Sequence, residues 1–231
     1  MVTQPSLREL LEAGVHFGHK TSRWHPSMEK FIFTSKSGVH IINLEKTEEE
    51  LKKAVDFVKK VASEGGTIVF VGTKKQAQII VKKAAIDCGM PYINKRWIGG
   101  TLTNFANVLS AINRFKKLKE DMEGQKNLDL TKKERSMIQN EIDRSEKVFG
   151  GLVNLNKKPD AFLLFGAHDE KNALAEANKE RIPSVALADT NADITKIAYP
   201  IPANDDATKA IQIFAELFSK VIKENKKVNK S

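Results

Sequence analysis

Thr67-Ile-Val-Phe-Val71 is a continuous apolar run of strand length, and Gly72-Thr-Lys-Lys-Gln-Ala77 follows it directly. Unbroken apolar strands are typical of parallel sheets that are buried on both faces. The glycine lets the backbone turn, and the residues after it begin a helix that we predict to run through Ala85. A strand, a glycine turn and a helix in this order predict an α/β domain, in which ligands bind at the carboxyl ends of the strands.

The turn after this strand contains Lys74 and Lys75, which would place positive charge beside a helix N-terminus. A nucleotide-binding enzyme on a Rossmann-like sheet is the alternative from another functional class. Such an enzyme would need Gly-x-x-x-x-Gly-Lys-Ser/Thr or Gly-x-Gly-x-x-Gly, and the turn matches neither. We therefore expect a protein that holds an anionic partner, with no catalytic residues and no cofactor.

Further segments extend the predicted sheet and its helices. Strands are expected at Met90–Ile93, Ala161–Phe165, Ser184–Ala188 and Ala198–Ile201. Helices are expected at Glu170–Glu180 and after Asn204-Asp-Asp206. Because strands alternate with helical patterns, the sheet should be parallel.

The N-terminal part has a different pattern. Phe31–Thr34 and Val39–Asn43 flank a turn at Gly38, which predicts a β-hairpin. Thr47 with Glu50 has the spacing of a capping box, and a helix should follow to about Ala62.

Tyr92-Ile-Asn-Lys-Arg-Trp-Ile-Gly-Gly-Thr-Leu-Thr-Asn104 is the least ordinary stretch of the chain. Arg96 is a planar donor suited to phosphate, and Trp97 can stack on a base or ribose. The predicted RNA-binding residues in this stretch are Lys95, Arg96, Trp97, Thr101 and Asn104. A buried Trp97 beside a plain glycine turn is the alternative.

A second candidate region is Gly14–Pro26, which we interpret as a polar, aromatic loop that meets RNA through His16, His19, Arg23 and Trp24. A loop folded onto its own domain is the alternative for His16. The histidines could share a metal with one another or with Cys88, but their spacing matches no common zinc site. We predict no metal.

Four carboxylates near the C-terminal end could gather at one edge of the sheet, and they are Asp189, Asp193, Asp205 and Asp206. A magnesium site would use such residues. Asp and Asn are also the usual residues of turns and helix caps, and we favour that interpretation.

Residues 105–150 have two helical patterns with narrow apolar seams, joined at 124–129. They predict a coiled-coil hairpin that projects from the α/β domain, with two ordinary packed helices as the alternative. The predicted division is therefore a globular domain of residues 1–104 and 151–231 and an inserted helical hairpin of residues 105–150.

The distribution of charge indicates a polyanionic partner. The net charge is +9, and residues 1–100 contain 16 Lys and Arg against 10 Asp and Glu. Such a local excess is typical of nucleic-acid binding, whereas a scaffold that binds only protein would leave it unexplained. The single cysteine, Cys88, excludes an internal disulfide and is typical of a reducing cytoplasm. No apolar run is long enough for a membrane span.

Five motifs occur in a fixed order, and together they resemble the bacterial form of the second small-subunit ribosomal protein. They are Gly14-Val-His-Phe-Gly-His19, Gly72–Ala77, Asn94–Asn104, Asp189-Thr-Asn191 and Asn204-Asp-Asp-Ala207. The family pattern continues Asp-Thr-Asn-Cys-Asp-Pro, but Ala192 and Ile194 replace its Cys and Pro. We expect this change to loosen the turn after Asp193.

The resemblance implies a flavodoxin-like three-layer domain with an inserted coiled coil. It implies a structural, non-enzymatic ribosomal protein in the cytoplasm that binds 16S rRNA between the head and body of the small subunit. It also implies contact with neighbouring proteins, including the large mRNA-binding first protein that the family helps to anchor, and a monomer within the ribosome. Lys74 and Lys75 lie in a matching motif, and we predict that they also bind RNA.

Overall fold

The structure is a computed structural model, and it describes residues 4–124 and 131–226. The strands of this part of the chain are β1 Phe17–Lys20, β2 Ile32–Lys36, β3 Val39–Ile42, β4 Ile68–Val71, β5 Tyr92–Ile93, β6 Ala161–Phe165, β7 Ser184–Ala188 and β8 Tyr199–Pro202. The α-helices are α1 Leu7–Glu12, α2 Leu44–Ser63, α3 Gln78–Cys88, α4 Phe105–Glu123, α5 Lys132–Phe149, α6 Lys171–Lys179 and α7 Thr208–Asn225.

Five of the strands form the predicted parallel sheet, in the order β5-β4-β6-β7-β8. Every residue of β4, β6 and β7 is buried, as their unbroken apolar sequences predict. The first strand of this sheet in the chain, β4, lies second in the sheet, which is the strand order of flavodoxin-like folds. The predicted fold class is confirmed.

Helices cover both faces of this sheet and form three layers. Ile68 and Phe70 pack in a cluster with α2, α3 and α7, whereas Val69 and Val71 pack on the other face with α6 and residues near the start of α4. This alternation follows from the two-residue period of a strand. Both faces of the sheet are therefore core.

The N-terminal part forms a separate antiparallel sheet in the order β1-β3-β2. The predicted hairpin is confirmed, and Ser37 and Gly38 form its turn with φ values of 51° and 75°. The prediction of a loop over residues 14–26 was incomplete, because β1 and a 3-10 helix at Thr21–Arg23 lie within it. The partner of β1 is β3, about twenty residues along the chain, so local sequence did not reveal this strand.

The start of α2 differs from the prediction. Asn43 is the N-cap, and its Oδ1 accepts hydrogen bonds from the backbone N–H groups of Glu45 and Lys46. Thr47 is buried inside the helix, where its hydroxyl donates to the carbonyl of Pro202 at 2.6 Å. The capping box predicted at Thr47 and Glu50 was therefore wrong, and Thr47 connects α2 to the end of β8.

Helices α4 and α5 are connected by ion pairs that include Arg114 with Glu141 at 2.8 Å and Lys119 with Glu146 at 3.3 Å. Their buried apolar side chains are Ile112, Phe115 and Ile142. The predicted connection at 125–129 lies outside the described residues. That this pair forms a projecting coiled coil, and that it is a separate insert, stay predictions.

Candidate nucleic-acid interface

The carboxyl edge of the parallel sheet brings the five motifs together. The strands β5, β4, β6, β7 and β8 all point toward this edge, and the loops that follow them lie side by side. The backbone N–H of Thr73 after β4 donates to Glu170 Oε1 after β6 at 2.6 Å. The backbone N–H of His19 donates to Thr190 Oγ1 after β7 at 2.8 Å. The motifs are thus parts of one surface.

Glu176 on α6 organises the loop between β5 and α4. Its Oε1 accepts from the indole N–H of Trp97 at 3.0 Å and from the backbone N–H of Gly100 at 2.8 Å. Its Oε2 accepts from the backbone N–H of Leu102 at 2.9 Å and of Thr103 at 3.3 Å. Burial opposes ionisation, but the hydrogen bonds from Trp97 and the backbone outweigh it and lower the pKa of Glu176. Sequence reasoning missed this residue, because it lies 73 to 79 positions from its partners.

Two predicted RNA-binding residues of this loop point into the protein. Trp97 is 8% exposed and its ring meets Phe162 edge-on at 5.9 Å. Thr101 is 5% exposed and donates to the carbonyl of Ile98 at 2.6 Å. Their burial leaves little surface for contacts with a base or phosphate, so those contacts stay predictions, and the alternative of a core tryptophan fits the structure.

The other predicted residues of this region, Lys75, Lys95, Arg96 and Asn104, are exposed, and Lys95 contacts the start of α3. Lys95 Nζ donates to the Oε1 of Gln78, the first residue of α3, at 2.9 Å. Lys75 lies three positions before Gln78, and Arg96 follows Lys95. Within residues 4–124 and 131–226 Arg96 makes no hydrogen bond or ion pair. Asn104, the N-cap of α4, is also exposed and makes no side-chain cap. These cations stand beside a helix N-terminus, which favours anions.

Lys74, by contrast, is neutralised by the protein itself. Its ammonium contacts carboxylate oxygens of Asp205 at 2.5 Å, Asp206 at 2.8 Å and Asp169 at 3.1 Å, and its side chain is 12% exposed. Burial would lower the pKa of Lys74, but these carboxylates outweigh it and raise the pKa. The prediction that Lys74 binds RNA phosphate does not fit this arrangement, because three partners already compensate its charge.

The N-terminal segment, residues 14–25, lies over the carboxyl ends of β7 and β8. His25 N–H donates to the carbonyl of Thr190 at 2.7 Å, and Asn204 N–H donates to the carbonyl of Val15 at 3.0 Å. A Cβ on Gly18 would lie 2.6 Å from Thr190 Cγ2, so only glycine allows this close approach. Thr190 and Asn204 therefore fasten the segment, a role that sequence reasoning missed.

The predicted histidines face inward. His19 Nδ1 lies 3.0 Å from Asp189 Oδ2 and Nε2 lies 3.4 Å from Asp206 Oδ2. The hydrogen bond with Asp189 outweighs partial burial and raises the pKa of His19. His16 packs against Phe17 with ring centroids 4.0 Å apart, and burial lowers the pKa of His16.

Arg23 and Trp24 are the exposed candidates of the N-terminal segment. Trp24 is 37% exposed, and its ring centroid lies 5.7 Å from that of His40. Arg23 ends a 3-10 helix beside it and is exposed. Together they offer a cation and an aromatic surface to a partner.

Asp193 and its neighbours form the turn that we expected to be loosened by Ala192 and Ile194 in place of the family's Cys and Pro. Asp193 Oδ1 accepts from the N–H and hydroxyl of Thr195 at 3.0 and 2.7 Å, which confirms a turn role for Asp193. Ile194 N–H donates to Ser27 Oγ at 3.2 Å, a bond that the family's proline could not make. The turn is therefore held by hydrogen bonds, and the expectation of a loosened turn was wrong.

The remaining three aspartates gather as one cluster around Lys74 and His19. Asp189 and Asp205 are 1% and 0% exposed. Burial, together with Asp189 and Asp206, outweighs Lys74 and raises the pKa of Asp205 to about 7. The prediction of turns and caps alone was therefore incomplete for these three residues.

Comparison with known families identifies the chain. The family model described as Ribosomal protein S2 matches residues 10–225. No helix in the described ranges is long and apolar enough to cross a membrane. The match spans both the sheet with its carboxyl edge and the paired helices α4 and α5. The chain therefore belongs to the ribosomal protein S2 family, a family of structural proteins of the small ribosomal subunit and not of enzymes.

Proposed function

We propose that this protein binds 16S rRNA between the head and body of the small subunit through the exposed cations along the carboxyl edge of its sheet. The observation that carries the proposal is the exposure of Lys75, Lys95 and Arg96, of which Lys95 contacts Gln78 at the start of α3, in a chain whose net charge is +9. Neutralisation of phosphates releases counterions and supplies most of the affinity. Arg23, Trp24 and Asn104 extend this surface, which we name the basic edge.

The same geometry argues against a nucleotide-binding enzyme. In open α/β sheets a nucleotide lies at the carboxyl ends of the strands. Here His19 and Lys74 fill that position together with the carboxylates of Asp189, Asp205 and Asp206. Carboxylates repel a nucleotide phosphate, and the one lysine among them is already paired.

On the subunit, we propose, the protein acts in the cytoplasm as a single copy that helps anchor the large mRNA-binding first protein. The paired helices α4 and α5 support a second contact with subunit components, because their outer surfaces are mostly exposed and charged. The protein would support translation by holding these components in place.

Arg96→Ala tests the basic edge directly. We expect the purified variant to keep the wild-type melting temperature, to bind a 16S rRNA fragment more weakly, and to show a salt dependence whose slope is smaller by about 1. Lys59→Ala is the matched control, because Lys59 is exposed on α2, away from the basic edge. Wild-type rRNA affinity and salt dependence in Arg96→Ala would contradict the proposed surface.

Sedimentation of a cell extract through a sucrose gradient tests the wider proposal. The protein should migrate with small subunits and remain with them through a moderate salt wash. Migration at the top of the gradient as free protein would contradict it.

A further inference from the structure

A partly buried cluster of charges joins the N-terminal segment to the ends of β7 and β8. It contains four carboxylates, those of Asp169, Asp189, Asp205 and Asp206, and two cationic groups, those of Lys74 and His19. With every carboxylate ionised, even a protonated His19 leaves the cluster with an excess of two negative charges. Asp189 and Asp205 are buried, whereas Asp169 and Asp206 are 41% and 49% exposed, so part of this excess faces solvent, where it attracts a cation.

Three of these residues have the geometry of a shared ligand set. His19, Asp189 and Asp206 each offer one ligand atom, and the three atoms lie within 4.8 Å of one another. Ligands of one tetrahedral ion with bonds of about 2.0–2.2 Å lie about 3.3–3.6 Å apart, so small side-chain movements would suffice. Among the residues that the structure describes, no other group of three His, Cys, Asp or Glu residues meets this condition.

Asp205 provides a second, independent observation. Its side chain is fully buried, and its Oδ2 has no hydrogen-bond partner within the described ranges. Its Oδ1 contacts Lys74, whose ammonium also contacts Asp206, so this carboxylate lies within the same cluster. An orphan buried carboxylate oxygen is rare in folded proteins and requires an explanation such as an ion.

We propose that His19, Asp189 and Asp206 bind one divalent cation of the zinc class, with Asp205 in support. One imidazole nitrogen and carboxylate oxygens form a mixed donor set that zinc accepts, whereas magnesium prefers oxygen ligands alone. Lys74 contacts Asp205 and Asp206 and would hold both carboxylates in place. Its positive charge neutralises part of the cluster, so that one divalent cation balances the rest.

The ion would connect distant parts of the chain. His19 belongs to β1, Asp189 follows β7 and Asp206 follows β8. The ion would therefore hold the N-terminal segment, with Arg23 and Trp24, on the edge of the parallel sheet. Removal of the ion would loosen this segment, which Thr190 and Asn204 still contact, while the sheet stays folded.

Calorimetric titration of the full-length protein, first stripped with EDTA, tests the site with Zn²⁺ and, separately, with Mg²⁺. We expect one equivalent of Zn²⁺ to bind and to raise the melting temperature, with weaker Mg²⁺ binding. Asp206→Asn should weaken Zn²⁺ binding at least tenfold, and because Asp206 is 49% exposed the variant should remain folded. His19→Gln should weaken it further.

Asp193→Asn is the matched control, because Asp193 lies in the neighbouring turn and bonds only to Thr195 in that turn. Its Zn²⁺ affinity should equal that of the wild type. Co²⁺ bound in place of Zn²⁺ should give absorption bands that Asp206→Asn alters and Asp193→Asn does not.

Three results would overturn the proposal. One is the absence of saturable Zn²⁺ binding. Another is Zn²⁺ binding that Asp206→Asn and Asp193→Asn leave equally strong. The third is stoichiometric binding of Mg²⁺ in preference to Zn²⁺. Limited proteolysis adds a separate readout, since bound Zn²⁺ should protect residues 14–25 from cleavage in the wild type but not in Asp206→Asn.

Discussion

The two stretches predicted to contact RNA are Gly14–Pro26 and Tyr92–Asn104, and within them the regions 14–25 and 94–104 use similar residue types in opposite ways. In the region 94–104 the aromatic residue, Trp97, is buried and the neighbouring cation, Arg96, is exposed. In the region 14–25 the aromatic Trp24 is partly exposed and His19 faces carboxylates inside the protein. In both regions an aromatic residue beside cations belongs to a loop that packs on the sheet. The residues of the sheet that contact the loop decide which of its side chains face solvent.

The docking partners differ as well. The region 94–104 is held by one carboxylate, that of Glu176, which accepts from Trp97 and from three backbone N–H groups. The region 14–25 is held mainly through its backbone, by Thr190 and Asn204, and through the cluster around His19. Substitutions in the two regions should therefore have effects of different magnitude, some on the stability of the fold and some on rRNA affinity.

The largest difference in the free energy of unfolding is expected between substitutions of the two tryptophans, Trp97 and Trp24. Trp97→Ala would open a cavity beside Phe162 and remove one of the four donors to Glu176, so we expect a loss of about 3–5 kcal/mol in the free energy of unfolding. Trp24→Ala should cost less than about 1 kcal/mol, since the ring is partly exposed, but it should weaken rRNA binding. Chemical denaturation and rRNA binding measure both effects. Equal losses of stability would contradict the comparison.

The next difference concerns two glycines, one in each region. Gly18→Ala would place a Cβ 2.6 Å from Thr190 Cγ2, and overpacking of this kind costs about 1–3 kcal/mol. Gly99→Ala is the control, because a Cβ there meets nothing within 4 Å. Thermal unfolding should show a lower melting temperature for Gly18→Ala only. An unchanged melting temperature in Gly18→Ala would show that the segment is not docked closely on Thr190.

Glu176→Gln tests the carboxylate that holds the region 94–104. The neutral amide keeps the shape but loses acceptor capacity and charge, so we expect a cost of about 1–2 kcal/mol at pH 7. The folded state lowers the pKa of Glu176 below its usual 4.5, so its ionised form stabilises the fold above that pH. This stabilisation is lost as the pH falls through the lowered pKa. Unfolding at several pH values should show the wild type and Glu176→Gln converging below pH 4.5. A constant difference at all pH values would contradict the role of the charge.

The smallest expected effect is on affinity alone. Arg23→Ala should weaken rRNA binding about fivefold near 0.15 M salt, which is the counterion release expected for one phosphate contact. Its effect should add to that of Arg96→Ala if the two regions contact separate phosphates. If Arg23→Ala binds rRNA with wild-type affinity, Arg23 does not belong to the basic edge, which would then be limited to the region around α3.

The sequence predicts the sheet well because the relevant signals are local. The apolar runs of β4, β6 and β7 and the turn at Gly38 are each read from a few consecutive residues. The start of α2 was missed although it is local, because both Asn43 and Thr47 are residues that cap helices. Only the contact of Thr47 with Pro202 decides between them.

The candidate site was less predictable because distant partners decide which side chains are free. Lys74 and Lys75 are neighbours in the sequence, but only Lys74 meets Asp205, 131 positions away. Trp97 is buried because its indole N–H donates a hydrogen bond to Glu176 and its ring packs against Phe162. Residue types alone indicate a polar, basic edge, whereas the division into exposed and internal members depends on the folded chain.

The docking of the N-terminal segment has a consequence for synthesis. His19 bonds Thr190 across 171 positions, and Gly14 accepts from Asn204 across 190 positions. The segment leaves the translating ribosome long before β7 and β8, yet its binding surface exists only after these strands have been made. Contacts between such distant positions slow folding. The N-terminal segment should therefore stay undocked until Thr190 and Asn204 have been translated and β7 and β8 have joined the sheet.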